Sequence, residues 1–244
     1  MVKKITLSLL VMLLMGCQIN HLTTLYTDDT SYEQGDLRVD ANGRPITGIY
    51  HNYSKTKRLK EEIHYVDGKI SGTYVEYNNK GIITIIAQYL DGEINGVVNE
   101  YFDDGNIKVV SLYRKGRLNG RRITYYPDGQ MLRKETFVNG KKNGVFEEYF
   151  NSGAVKNSIT YKNNKQNGPA RFYTKDNILI SYSEFVNGRC NGRTETYYLD
   201  GTPKTLGRCV KGKLSGKIKE FDKKGNLVKI VTYKAGEEIN SVKF

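Results

Sequence analysis

A strict period of 24 residues governs this chain. Residues 67–90 read D-G-K-I-S-G-T-Y-V-E-Y-N-N-K-G-I-I-T-I-I-A-Q-Y-L, and residues 91–114 read D-G-E-I-N-G-V-V-N-E-Y-F-D-D-G-N-I-K-V-V-S-L-Y-R. One glycine recurs at Gly68, Gly92, Gly116, Gly140, Gly188, Gly212 and Gly236. A second, four residues on, recurs at Gly48, Gly72, Gly96, Gly120, Gly144, Gly168, Gly192 and Gly216. A third falls at Gly81, Gly105, Gly129, Gly153, Gly201 and Gly225. Self-similarity at a fixed period of this length identifies a repeat architecture that grows along one axis instead of enclosing a central core.

The segments between glycines are five to eight residues long and rich in Val, Ile, Thr and Tyr, which is strand length and strand chemistry. Asp-Gly and Asn-Gly pairs at constant spacing are hairpin signals, because they supply positive φ at little cost. Two aromatic positions mark each unit: Tyr53, Tyr77, Tyr101, Tyr125, Tyr149, Tyr173, Tyr197 and Phe221, then Tyr65, Tyr89, Tyr113, Phe137, Tyr161, Phe185, Cys209 and Tyr233. Each unit is expected to be two antiparallel strands. The fold class is therefore all-β, an elongated antiparallel β-meander solenoid of about eight 24-residue hairpin repeats and about seventeen strands. At the usual strand spacing it would extend roughly 80 Å before twist.

Asn164, Asn177 and Asn240 stand in glycine slots. Asn tolerates the left-handed region best after glycine, so the slots are expected to be glycine for backbone reasons. An apolar slot (Ile83, Ile107, Met131, Val155, Leu179 and Leu227, with Pro203 the exception) lies six residues before the second aromatic. That even offset predicts one shared face and a continuous core stripe. Tyr74, Val98, Phe146 and Ile218 are expected on the face opposite Tyr77 and its equivalents, so a flat open sheet would leave apolar surface wet. Strong twist or a thin two-sided structure is expected.

The N-terminus carries Lys3 and Lys4, an apolar run from Ile5 to Met15, and then Leu14-Met15-Gly16-Cys17. The run is short for a bilayer span and suits an export signal. Its end resembles the lipobox of bacterial lipoproteins, which implies cleavage before Cys17 and acylation of that cysteine. Two or three acyl chains would anchor the protein stably to a membrane. Gln18 in place of Asp favours outer-membrane sorting if the source is Gram-negative. The expected organisation is 1–16 signal peptide, 17–40 a polar tether with one short strand, and 41–244 the repeat domain. Export permits a disulfide between Cys190 and Cys209, which folding about Gly201 would place on adjacent strands; the sequence leaves bonded and free open.

The pattern G-[KR]-[IL]-[NS]-G-x-x-x-E-[YF] with its partner D-G-x-[IL] resembles the MORN repeat variant, in the bacterial group labelled YwqK-family antitoxin-like. Asp91-Gly92-Glu93-Ile94-Asn95-Gly96, Glu100-Tyr101 and Asp104-Gly105-Asn106-Ile107 carry it, over residues 41–240. The resemblance implies β-sheet rods used for contact with proteins or lipid headgroups, without common catalytic residues.

No constellation of unlike residues points to an enzyme, a cofactor or a metal. His21, His51 and His64 lack metal-ligand spacing and read as surface residues, and the ladder Glu76, Glu100, Glu148 and Glu220 reads as a solvated strand face. Charge says more. Residues 18–107 hold 8 Lys/Arg against 14 Asp/Glu, and residues 108–244 hold 28 against 12. Arg114, Lys115, Arg117, Arg121 and Arg122 form one dense basic stretch and a candidate anion-binding set; Lys211, Lys213, Lys217, Lys219, Lys223 and Lys224 form another. The expectation is a non-enzymatic, lipid-anchored module of the cell envelope that binds or scaffolds a protein or an anionic glycan or lipid, not nucleic acid. The alternative is an immunity or antitoxin-like protein that neutralises a toxin.

Overall fold

The computed structural model describes residues 24–28 and 30–244, so the expected signal peptide at residues 1–16 and Cys17 lie outside the described residues. Three short strands come first, β1 (Leu25–Tyr26), β2 (Ser31–Gln34) and β3 (Leu37–Asp40). The repeats begin with β4 (Gly48–Tyr53), β5 (Leu59–Val66), β6 (Lys69–Tyr77), β7 (Ile83–Leu90), β8 (Glu93–Tyr101) and β9 (Ile107–Arg114). They continue with β10 (Arg117–Tyr125), β11 (Met131–Val138), β12 (Lys141–Lys142), β13 (Gly144–Tyr149), β14 (Val155–Lys162) and β15 (Lys165–Tyr173). Last come β16 (Leu179–Val186), β17 (Arg189–Tyr197), β18 (Pro203–Val210), β19 (Lys213–Leu214), β20 (Gly216–Phe221), β21 (Leu227–Lys234) and β22 (Glu237–Lys243). Seventeen of the repeat strands are six residues or longer.

From β4 onward each strand pairs antiparallel with the next, β12 with β13 and β19 with β20 each serving as one interrupted strand, so sequence order is position across one long meandering sheet. Alternate connections are two-residue turns with both residues at positive φ, from Asp67 (49°) and Gly68 (77°) to Ala235 (53°) and Gly236 (92°). That is the turn whose own twist matches the right-handed twist of the strands it joins. Asn164 (66°) and Asn177 (62°) do occupy left-handed backbone. Asn240 does not; it sits inside β22 paired with Thr232.

The second repeated glycine marks a wide bulge. Ile63 pairs with Tyr74 and Tyr65 with Ile70, leaving Ser71, Gly72 and Thr73 against His64 alone. At Gly96 the backbone takes φ 133°, and an added Cβ would come within 2.8 Å of the Gln88 Cβ. Bulges of this kind bend and twist the strand that carries them.

The stripe predicted from the apolar slot and the second aromatic is corrected by another bulge. Glu76 pairs with Ile85, but Tyr77 pairs with Ile83, so Thr84 is extra. One inserted residue breaks the period-2 alternation, and Ile83 stands against the first aromatic of its unit, out of step with Tyr89. Many of the buried residues, with half-buried Tyr74 and Arg122 among them, form a different ladder through the middle of the long strands. It runs Tyr50, Ile63, Tyr74, Ala87, Val98, Ser111, Arg122, Glu135, each directly opposite the next. Ile159, Ala170, Ile218 and Val231 continue it as buried residues.

Residues 24–40 carry three strands where one was expected. β1 pairs parallel with β4, and β2 with β3 forms a separate hairpin. The Arg38 amide donates to the Gly68 carbonyl at 2.8 Å and the Ile46 amide to the Arg38 carbonyl at 3.1 Å. Val39 and Ile46 are buried beneath this junction. β1 covers the first edge of the repeat sheet at Ile49 and Tyr50, which shortens an edge that would otherwise template further strand pairing.

Candidate functional site

The two-residue turns lie along one margin of the sheet, one per unit, and are tied to one another by main-chain bonds. The Gly116 amide donates to Ile94, Gly140 to Leu118, Asn164 to Lys142, Gly188 to Gln166 and Gly212 to Cys190, all at 2.7–3.0 Å. The residue just after each turn therefore stands in register with its counterparts. From the third turn these residues are Arg117, Lys141, Lys165, Arg189 and Lys213, all exposed, between Arg114 or its equivalent on the preceding strand and solvent. At two strands per unit they recur about every 10 Å, a basic row about 40 Å long. Glu93 and Glu237 stand at the same position on either side of the row.

The fold does not ask for these charges. Arg117 stands directly opposite Arg114 and Lys165 opposite Lys162, and like charges facing across strands destabilise a sheet. Lys115 (φ 49°) and Lys211 (φ 50°) occupy left-handed turn positions where the other units use Asp or Asn, except the last, which has Ala235. A lysine there is less at ease than Asn or Asp, because it lacks their local hydrogen bonding.

The sequence-derived anion set is thus divided by the fold. Arg114, Lys115 and Arg117 belong to the basic margin. Arg121 pairs with Thr136 and Arg122 with Glu135, so these two point to opposite faces of β10. The row itself was hidden in the linear reading because its members lie 24 residues apart; the shared position after the turn glycine was the available signal. Cys190 and Cys209 are joined as a disulfide with Cα atoms 5.8 Å apart. The lipidation candidate Cys17 is outside the described residues.

His51 and His64 are not isolated. The His64 Nε2 lies 3.8 Å from one Glu62 carboxylate oxygen and the His51 Nε2 lies 3.2 Å from the other. These imidazoles hold the Glu62 carboxyl below its ordinary value against its partial burial. Of the glutamate ladder, Glu148 accepts from Asn157 at 3.0 Å and Lys156 at 3.0 Å. Burial pushes its carboxyl up, and those donors outweigh it and bring it down.

At the other margin, repeat-equivalent open grooves lie beside Phe102 with Lys108 and beside Tyr198 with Lys204. Each lysine Nζ is 5.8 Å from its ring centroid, a cation–π arrangement. Among the described residues no group of three His, Cys, Asp or Glu side chains is placed to hold a metal ion.

A family model described as MORN repeat variant matches residues 118–139, 142–163 and 214–235. No curated protein matches the chain. Similar solved structures include the Tc holotoxin pore of Photorhabdus luminescens, at 12% identity over 81% of this chain and 11% of that one, with TM-score 0.22. The TcdB2-TccC3-TEV structure is 12% identical over 81% of this chain and 12% of that one, TM-score 0.22. TcdB2-TccC3 without its hypervariable C-terminal region is 14% identical over 88% and 16%, TM-score 0.21. This chain spans less than a fifth of the length of those it resembles.

Proposed function

We propose that this chain is a non-enzymatic repeat module of the cell envelope, anchored by acyl chains on Cys17, whose tight-turn margin binds an extended anionic partner. The partner is an anionic glycan, a lipid headgroup surface or an acidic protein. The basic row Arg117, Lys141, Lys165, Arg189 and Lys213 carries this reading. Cations held at regular intervals along a stiff sheet suit a partner whose negative charge also extends along a line or plane, and such a row raises its local concentration. The like-charge pairs and the lysines in left-handed turns support it, because they work against folding stability.

The test is retention of the full chain on vesicles of anionic lipid and on a sulfated polysaccharide resin, each against a neutral control. Retention on an anionic support, lost when the five row residues are changed to Gln, supports the reading. No retention on any anionic support at low salt removes it.

A further inference from the structure

The ladder turns polar from β9 to β11, as does the row beside it as far as β14, and there the charges are mismatched. Arg122 is directly opposite Glu135. Glu135 is 5% exposed, yet its carboxylate is taken by the Lys142 Nζ at 2.8 Å. Arg133 stands opposite Glu148, and that carboxylate is taken by Asn157 and Lys156. The carboxylate directly across the strand from each arginine is thus taken by another donor. Arg122 Nε and Arg133 Nε are buried without any hydrogen-bond partner, and so is Asn157 Oδ1.

These three atoms share one face. Arg122 pairs with Glu135 and Thr124 with Arg133, which makes the two arginines diagonal neighbours, about 7–8 Å apart along the backbone. Asn157 stands two strands beyond Arg133, about 10 Å away. Buried apolar residues flank the group: Val109 opposite Thr124, and Phe137 and Ile159. Phe146 lies 5.5 Å below the Arg133 guanidinium. Both residues are half-buried as a whole, so it is the enclosed Nε of each guanidinium that goes unpaired at a cost, and two such cations side by side also repel. Water would meet the hydrogen bonds but leave the charge; an oxyanion meets both, and its oxygens match the planar donors of arginine.

We propose that Arg122 and Arg133 bracket one oxyanion, a carboxylate or a phosphoryl group, on the core face of β10 and β11. Asn157 Oδ1 accepts from a hydroxyl or amide donor carried beside that anion. The site deepens the binding role proposed above and rests on it in taking the anion to be part of the partner. It is separate from the tight-turn row, so the two can fail independently.

The full chain, labelled with 15N, is titrated with inorganic phosphate and with acetate while the arginine side-chain Nε–H signals are followed. The expected result is a saturable shift of the Arg122 and Arg133 signals with at least one anion, while Arg114 and Arg117 stay still. Response to phosphate alone assigns a phosphoryl ligand, and response to acetate alone a carboxylate. Arg122→Gln and Arg133→Gln should each weaken binding by at least about tenfold. Arg133→Lys, which keeps charge and stem, serves if a Gln variant fails to fold, and should also weaken it because the bidentate fork is lost. Signals that ignore both anions, or that drift in step with Arg114 and Arg117, overturn the proposal. So do folded variants that bind as well as the parent, whatever the row variants do on anionic supports.

Discussion

Lys142 reaches back from β12 to Glu135 on β11 and holds its carboxylate at 2.8 Å, although the residue directly across the other strand pair from Glu135 is Arg122. The side chain of Glu135 is 7% exposed and that of Lys142 35% exposed. Removing Lys142 should therefore cost little, because Arg122 stands ready to take the freed carboxylate. We expect Lys142→Met to lose less than about 1 kcal/mol, and the same change in an Arg122→Met background to lose about 3 kcal/mol, since Glu135 is then buried without a partner. Urea denaturation of the four members of this cycle reads the difference.

The Cys190–Cys209 bond lies in the unit with the poorest ladder, where Thr194 stands opposite Gly207. Most other units fill the two cysteine positions with an aliphatic residue and an aromatic, such as Ile70 and Tyr89, with Lys142 and Gln166 the exceptions at the first. Here the covalent link stands in for packing. Reduction, or Cys190→Ser with Cys209→Ser, should destabilise by about 3 kcal/mol for a loop of this length. In a repeat array that loss should be local. Hydrogen exchange should speed up first in β17 and β18, with β6 and β7 unchanged.

The repeated glycines should not tolerate replacement equally. Gly96 takes φ 133° with the Gln88 Cβ 2.8 Å from an added Cβ, whereas Gly105 takes φ 88° and faces open space. Gly96→Ala should cost about 2 kcal/mol or more, and Gly105→Asn below about 1 kcal/mol. Asn177 already occupies the equivalent of Gly105. Thermal denaturation of the two variants side by side decides it.

Acid should act through Glu62. Its carboxyl is held below the ordinary value by His64 and His51. A depressed carboxyl contributes stability that is complete above the unfolded value and is lost as pH falls through the folded one. Between about pH 6 and about pH 3 the parent should therefore lose more stability than Glu62→Gln. Urea midpoints across that range, followed by tyrosine fluorescence, give the comparison; parallel acid limbs would contradict it.

The periodic part of this structure was legible in the sequence, because period and turn chemistry are both local. Asp91-Gly92 and its equivalents announced the hairpins, and Asn164 and Asn177 announced left-handed backbone. What depends on register was not legible. The extra residue Thr84 moves Ile83 against Tyr77, and nothing in the composition of that strand announces it. The buried ladder escaped because its members vary freely, from Tyr74 through Ala87 and Val98 to Ser111. A thin sheet needs one filled position per strand and is indifferent to which residue fills it, provided neighbours compensate. Arg122 read as one of a basic stretch for the same reason. Only cross-strand pairing separates it from Arg121 and places it beside Arg133. The hairpin at residues 31–40 has no copy elsewhere in the chain, so a periodic reading could not anticipate how it docks on Gly68 and Ile46 at the start of the sheet.

The central claim is that the regularly spaced cations after the tight turns bind an extended anion. It is tested most directly by the salt dependence of binding to a sulfated polysaccharide, for the full chain and for variants with one, three or five of Arg117, Lys141, Lys165, Arg189 and Lys213 changed to Gln. The account predicts that the slope of log K against log salt falls by roughly one for each cation removed, as counterion release requires. A slope unchanged by the five substitutions, or lowered as much by changing five lysines elsewhere on the sheet, would contradict it.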